Sequence, residues 1–132
     1  MLRYLSGVAA LVAAAAAFLA IHPAAVAAAT DYRFVRVDVR PAGKGKSDVT
    51  LRLTHVPDSR PIPGAVIFQP NAIMAGMENM PGAATAEPGQ HPGTYILHVA
   101  TSMAGTWTLR LAAKVQGEPQ TVRAAIPFEA AE

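Results

Sequence analysis

The chain has 132 residues, with 11 Lys and Arg against 9 Asp and Glu and no cysteine. A balance this close to neutral, with no basic stripe, leaves no electrostatic footprint for nucleic acid or anionic lipid. Without cysteine there is neither a disulfide framework nor a thiolate metal ligand, so burial alone must hold the fold.

The N-terminus reads first as an export signal. Arg3 precedes an apolar, Ala-rich run from Val8 to Ile21, and Ala25-Val-Ala27 or Ala27-Ala-Ala29 supplies the small-x-small cleavage pattern. The competing reading is a retained anchor, because apolar character continues past His22 and Pro23 to Ala29, long enough to span a bilayer. Small residues crowd the Ala25 to Ala29 end and no positive cluster follows, which favours cleavage. The expected organisation is therefore residues 1–29 as leader and 30–132 as one exported, periplasmic domain, touching a membrane only through an uncleaved leader. Removing 29 residues from 132 leaves 103, enough for one core and too few for two.

Beyond the leader the apolar period is two. Val35, Val37 and Val39 alternate with Arg36, Asp38 and Arg40, and after the turn Pro41 to Lys46, Val49, Leu51 and Leu53 alternate with polar residues. A third strand covers Ala65 to Gln69 and is expected to end at Pro70. Ala83 to Glu87 gives a weaker fourth. Thr94 to Ala100 puts Tyr95, Leu97 and Val99 on one face, Thr106 to Val115 does the same for Trp107, Leu109 and Leu111, and Pro119 to Phe128 closes the series. Short strands, turn signals about every ten residues and no helical window predict an all-β fold, a single antiparallel β-sandwich of about seven strands.

Four of the five methionines are gathered in two places. Met74, Met77 and Met80 recur every third residue within Asn71 to Gly82, and Met103 sits in Thr101-Ser-Met-Ala-Gly-Thr-Trp107. Neutral thioethers favour a soft ion, Cu(I), over hard cations, and unlike thiols they do not form disulfides in an oxidising compartment. The alternative is packing: one turn of helix carrying three methionines to cap the core, with Met103 as a further plug. Trp107 faces inward as a core residue, or lays its ring over a bound cation.

Arg60-Pro-Ile-Pro-Gly-Ala65, the methionine stretch after it, Gly93-Thr-Tyr95, and above all Met103-Ala-Gly-Thr-Trp107 resemble the YtkA-like and FixH-like families of exported immunoglobulin-like domains, over roughly Val35 to Val115. The resemblance implies a small periplasmic immunoglobulin-like sandwich concerned with copper or with assembly of copper-containing respiratory oxidases, and does not imply an enzyme. Of the ligands relatives use, only Met74, Met77, Met80 and Met103 have counterparts here.

Strand alternation gives those residues a geometric expectation. If 35–40, 65–69 and 94–100 are the first, third and fifth strands, the two methionine loops meet at one pole, with His55 and His91 at the other. His98 points away from the inward face of its strand. No His-Asp pair adjoins Ser47, Ser59 or Ser102, and no phosphate loop or calcium loop appears. The expected function is a Cu(I) carrier or assembly factor with a metal ion and a copper-protein or oxidase partner. Its rival is a metal-free module that docks such a partner through the same apolar loop.

Overall fold

The computed structural model describes residues 29–131, so the expected leader lies almost wholly outside the described residues. A 3-10 turn, Ala29–Asp31, leads into eight strands: β1 Tyr32–Pro41, β2 Lys46–His55, β3 Arg60–Pro61, β4 Val66–Met74, β5 Gly82–Pro88, β6 Thr94–Ala100, β7 Gly105–Lys114 and β8 Val122–Ala130. Every pairing is antiparallel, in the order β1-β2-β6-β5-β4-β7-β8, with β3 beside the end of β2. Leaving β3 aside, one sheet holds the first, second, sixth and fifth strands and the other holds the fourth, seventh and eighth. That is the arrangement of a constant-type immunoglobulin sandwich. β5 spans both sheets, pairing with β6 along most of its length and with β4 through Asn71↔Ala83 and Ala72↔Gly82.

The inward faces explain the core. Val49, Leu51 and Leu53 from β2 and Leu97 from β6 meet Leu109 and Phe128 from β7 and β8, all almost fully buried. Tyr95 packs edge-on against Phe34 and donates its hydroxyl to the Ile62 carbonyl at 2.7 Å, while accepting from the Ala65 N–H at 2.9 Å. One side chain thus ties the Pro-rich 62–65 segment to the core and satisfies its own buried oxygen.

Two expectations are corrected, both by bulges. β4 does not stop at Pro70 but runs on to Met74, because its pairing with β7 shifts between Phe68 and Asn71, and Gln69 adopts φ 52°. A bulged residue owes the ladder no hydrogen bond, so proline is tolerated there. In β1 the pairing skips Val37, between Arg36↔Leu51 and Asp38↔Thr50. Phe34 is therefore the buried residue, Val35 and Val37 are about half exposed, and only Val39 of the three valines packs on the core.

Pairing also fixes the two poles. Lys46↔Ala100, Ala84↔Val99, Met74↔Trp107 and Gly105↔Ala130 put the β1–β2, β4–β5 and β6–β7 connections and the end of β8 at one pole. Tyr32↔His55 puts the start of β1 at the other. Gly82 has no room for a side chain: a Cβ there would sit inside contact distance of the Ala100 carbonyl oxygen and 3.4 Å from the Trp107 ring. Gly82→Ala is expected to cost about 1–3 kcal/mol through this overpacking, seen as a lower urea midpoint at unchanged slope.

Candidate metal centre at the methionine pole

Met74 ends β4 as the Cα partner of Trp107 and packs, half-buried, against the core cluster. The chain then makes two linked turns: the Met77 N–H donates to the Met74 carbonyl at 2.9 Å, and the Met80 N–H to the Met77 carbonyl at 3.0 Å. Glu78 steadies the first by accepting from the Gly76 N–H at 3.2 Å. The three-residue spacing therefore makes consecutive turns at the end of a strand rather than a turn of helix, and Met74 belongs to the strand rather than the loop. Exposure rises along the series, from half-buried Met74 and Met77 to Met80 at 63%.

Met103 reaches the same pole on the β6–β7 connection and is 44% exposed. Both ends of this connection are fixed. Thr101 is buried, donates its N–H to the Gly45 carbonyl at 2.9 Å and shares a 2.9 Å hydroxyl hydrogen bond with Ser47. At the other end the Trp107 indole Nε1–H donates to the Met103 carbonyl at 3.1 Å. Trp107 is 3% exposed, pairs across the strands with Met74 and holds the Met103 carbonyl, so it is linked to both methionine groups. Gly105, at φ 135°, leaves room for Met74: a Cβ on it would lie 3.0 Å from Met74 Cε. Both loops meet at one pole, and Met74 and Met103 share Trp107 as a neighbour. Gly82, Gly105, Ser47 and Thr101, which support the pole, are not evident from motif reading; only the glycines flanking each methionine group hint at them.

The histidines stand apart from the sulfurs. His55 packs its ring on Tyr32, with centroids 5.2 Å apart, and contacts Asp58 Oδ1 through Nδ1 at 2.8 Å at the opposite pole. That hydrogen bond is the main cause holding the Asp58 carboxyl below its ordinary range. His91 lies in the β5–β6 connection, at the same opposite pole. Among the described residues no group of three or more His, Asp or Glu is arranged to hold a metal ion.

His98 occupies the outer face of the β2–β6–β5 sheet, with Nδ1 2.7 Å from Asp48 Oδ1 and Nε2 3.0 Å from Glu87 Oε1. It borders a groove of about 520 Å³ that also includes Ala42, Lys46, Ala83 and Thr85 and runs toward the methionine pole. Two acceptors, one on each ring nitrogen, favour the imidazolium, and the hydrogen bonds to Asp48 and then Glu87 raise its pKa above 6.5. A raised folded pKa means that this contribution to stability is complete below about pH 6.5 and is lost as pH rises through the folded value. All three side chains are partly solvated, so its size should stay under about 1 kcal/mol. His98→Gln is expected to flatten the fall in melting temperature as pH rises above about 6.5, compared with the unsubstituted chain.

The model of the YtkA-like family matches residues 26–112, a span that runs from before β1 into β7 and takes in Met74, Met77, Met80, Met103 and Trp107. No curated protein matches the chain. With that match over most of its length and an immunoglobulin-like sandwich behind it, the chain belongs to the YtkA-like family.

Proposed function

We propose that this chain is a periplasmic copper-handling protein that holds Cu(I) at the methionine pole, through Met74, Met77, Met80 and Met103, and passes it to a protein partner without catalysing a reaction. The observation that carries the reading is the convergence of two methionine-bearing connections over Trp107, with Met80 and Met103 open to solvent. Solvent-exposed methionine is poor use of an apolar side chain but suits a soft ligand that must be reached by an ion. The donor set fits a monovalent soft ion: neutral sulfur is what the methionine pole offers, and among the described residues no group of three or more His, Asp or Glu is arranged to hold a metal ion. Neutral ligands without thiolate give exchangeable binding, as a carrier needs. A loop pole also lets a second protein approach.

The testing experiment is a Cu(I) titration of the exported chain against a chromogenic Cu(I) chelator under reducing conditions, with mass spectrometry for stoichiometry. One copper at sub-micromolar affinity, about −8 kcal/mol or better, supports the reading, and failure to compete with the chelator overturns it. The exposed apolar surface of Met80 and Met103 also favours a second reading, a metal-free pole that docks a membrane or respiratory-oxidase subunit. Under that reading sulfur is dispensable and apolar bulk is not.

A further inference from the structure

The outer face of the β4–β7–β8 sheet carries two arginines that no acid neutralises. Arg110 stands opposite Asn71 on β4 and Ala125 on β8, and Arg123 stands opposite Ala112 on β7. Arg110 and Arg123 are therefore diagonal neighbours on one face, about 7–8 Å apart along the backbone and within reach of each other's long side chains. Neither makes an ion pair or a side-chain hydrogen bond among the described residues. The one acid on these three strands, Glu129, accepts from the Thr106 hydroxyl and is set four residues along from Arg110 in register, roughly 13 Å at strand rise. Like charges this close cost stability when nothing stands between them.

Both arginines border a hollow that is already shaped. Gln69, Asn71 and Ala112 join them around a cavity of about 430 Å³, and a second of about 350 Å³, over Ala124 and Ala125, shares the same two arginines. Ala112 is 1% exposed yet stands outside the core cluster, so it is side chains of this outer face that cover it. Gln69 holds the left-handed φ of 52° at the β4 bulge, a conformation that costs a non-glycine residue about 1 kcal/mol or more. Asn71 Oδ1 is buried without a partner, a further cost. Like the arginines, neither amide side chain is hydrogen-bonded among the described residues. Backbone strain, an orphaned polar atom and unopposed charge thus coincide at one hollow, where folding stability favours none of them.

We propose that this hollow binds a small, doubly charged oxyanion of the phosphate type, clasped between Arg110 and Arg123 with the amides of Gln69 and Asn71 at its rim. A guanidinium offers five N–H donors and no acceptor, and each amide adds an NH₂ group, so the hollow calls for a ligand rich in acceptors. Two positive charges match a dianion, and the planar fork of each arginine matches a pair of phosphate oxygens. A tetrahedral anion presents oxygens in several directions and can take both forks at once, whereas one carboxylate fills a single fork. The hollow lies on the flank of the sandwich, since β7 begins at the methionine pole with Gly105 and reaches Arg110 five residues later. It therefore stands or falls independently of copper.

The test is a titration of the exported chain with sodium phosphate, in mildly alkaline buffer where the dianion dominates and at constant ionic strength so that screening does not change. The NMR signals of the Arg110 and Arg123 Nε–H groups are expected to shift together and to saturate, with a Kd of about 1 mM or tighter. That measurement needs no variant to fold. Arg110→Gln and Arg123→Gln should each weaken phosphate binding tenfold or more, while Arg33→Gln, which removes an exposed arginine on β1, should leave it unchanged. Sodium succinate, a dianion whose charges sit on two separate carboxylates, should bind at least tenfold more weakly. No saturation, shifts that also follow sodium chloride, succinate binding as tightly as phosphate, or affinity retained in either arginine variant overturns the proposal.

Discussion

A chain carrying Met77→Leu and Met80→Leu is expected to lose Cu(I) affinity by tenfold or more, about 1.4 kcal/mol or greater, while its melting temperature stays close to that of the parent. Leu matches Met in bulk and apolarity, so such exchanges typically cost less than about 1.5 kcal/mol even in cores, and Met80 is largely solvent-exposed. What is deleted is the thioether. The two linked turns are backbone structures, Met74 to Met77 and Met77 to Met80, and survive the replacement. Chelator competition reads the metal, and binding of the partner protein reads docking. Unchanged Cu(I) affinity would end the carrier reading, and intact docking in the same variant would establish the metal-free one. Met103→Leu added to the pair should deepen the loss, because Met103 shares the pole through Trp107.

The second large effect is expected at Trp107. Trp107→Ala should lower the free energy of unfolding by about 3–5 kcal/mol, a large part of the 5–15 kcal/mol or so typical of a domain. The ring is 3% exposed, lies against Gly82 and pairs across the strands with Met74. The substitution also deletes the indole N–H that holds the Met103 carbonyl. Trp107→Phe separates the two roles, since it keeps much of the burial and removes the donor. We expect Phe to restore most of the stability but leave the β6–β7 connection loose, measured as faster amide exchange at Met103 and Ala104. If the Trp107→Phe protein protects those amides as the parent does, the indole hydrogen bond does not position the loop.

How much of this could be read from the chain depended on how long each pattern ran. Thr94–Ala100 is the expected strand residue for residue, and Gly105–Lys114 is displaced by one, because Tyr95, Leu97 and Val99 in the one and Trp107, Leu109 and Leu111 in the other mark a clear inward face. β3 is two residues long, too short for any period to show. The errors at β1 and β4 have a common cause: a single inserted residue inverts every side chain beyond it, and neither Val37 nor Gln69 belongs to a type that announces a bulge. Pro70 was even misleading, since the same missing N–H that ends a regular strand is harmless at an irregular one. At the pole, strand counting brought the two methionine groups together but could not see the supporting contacts. Those from Trp107, Thr101 and Gly105 depend on pairing across the sandwich. The partners of His98 escaped for the same reason, being on neighbouring strands at positions 48 and 87.

The separation of the two poles has a practical side. β1 alone carries the chain across the sandwich in ten residues, roughly 30 Å at strand rise, so the start of β1 lies about that far from the methionine pole. A resin, a fluorophore or a bilayer joined at that end leaves the sulfurs facing outward. The other end offers no such freedom. Ala130 is paired with Gly105, beside Met74, and an affinity tag fused after Glu132 would hang its histidines over the methionine loops and compete for the ion under assay.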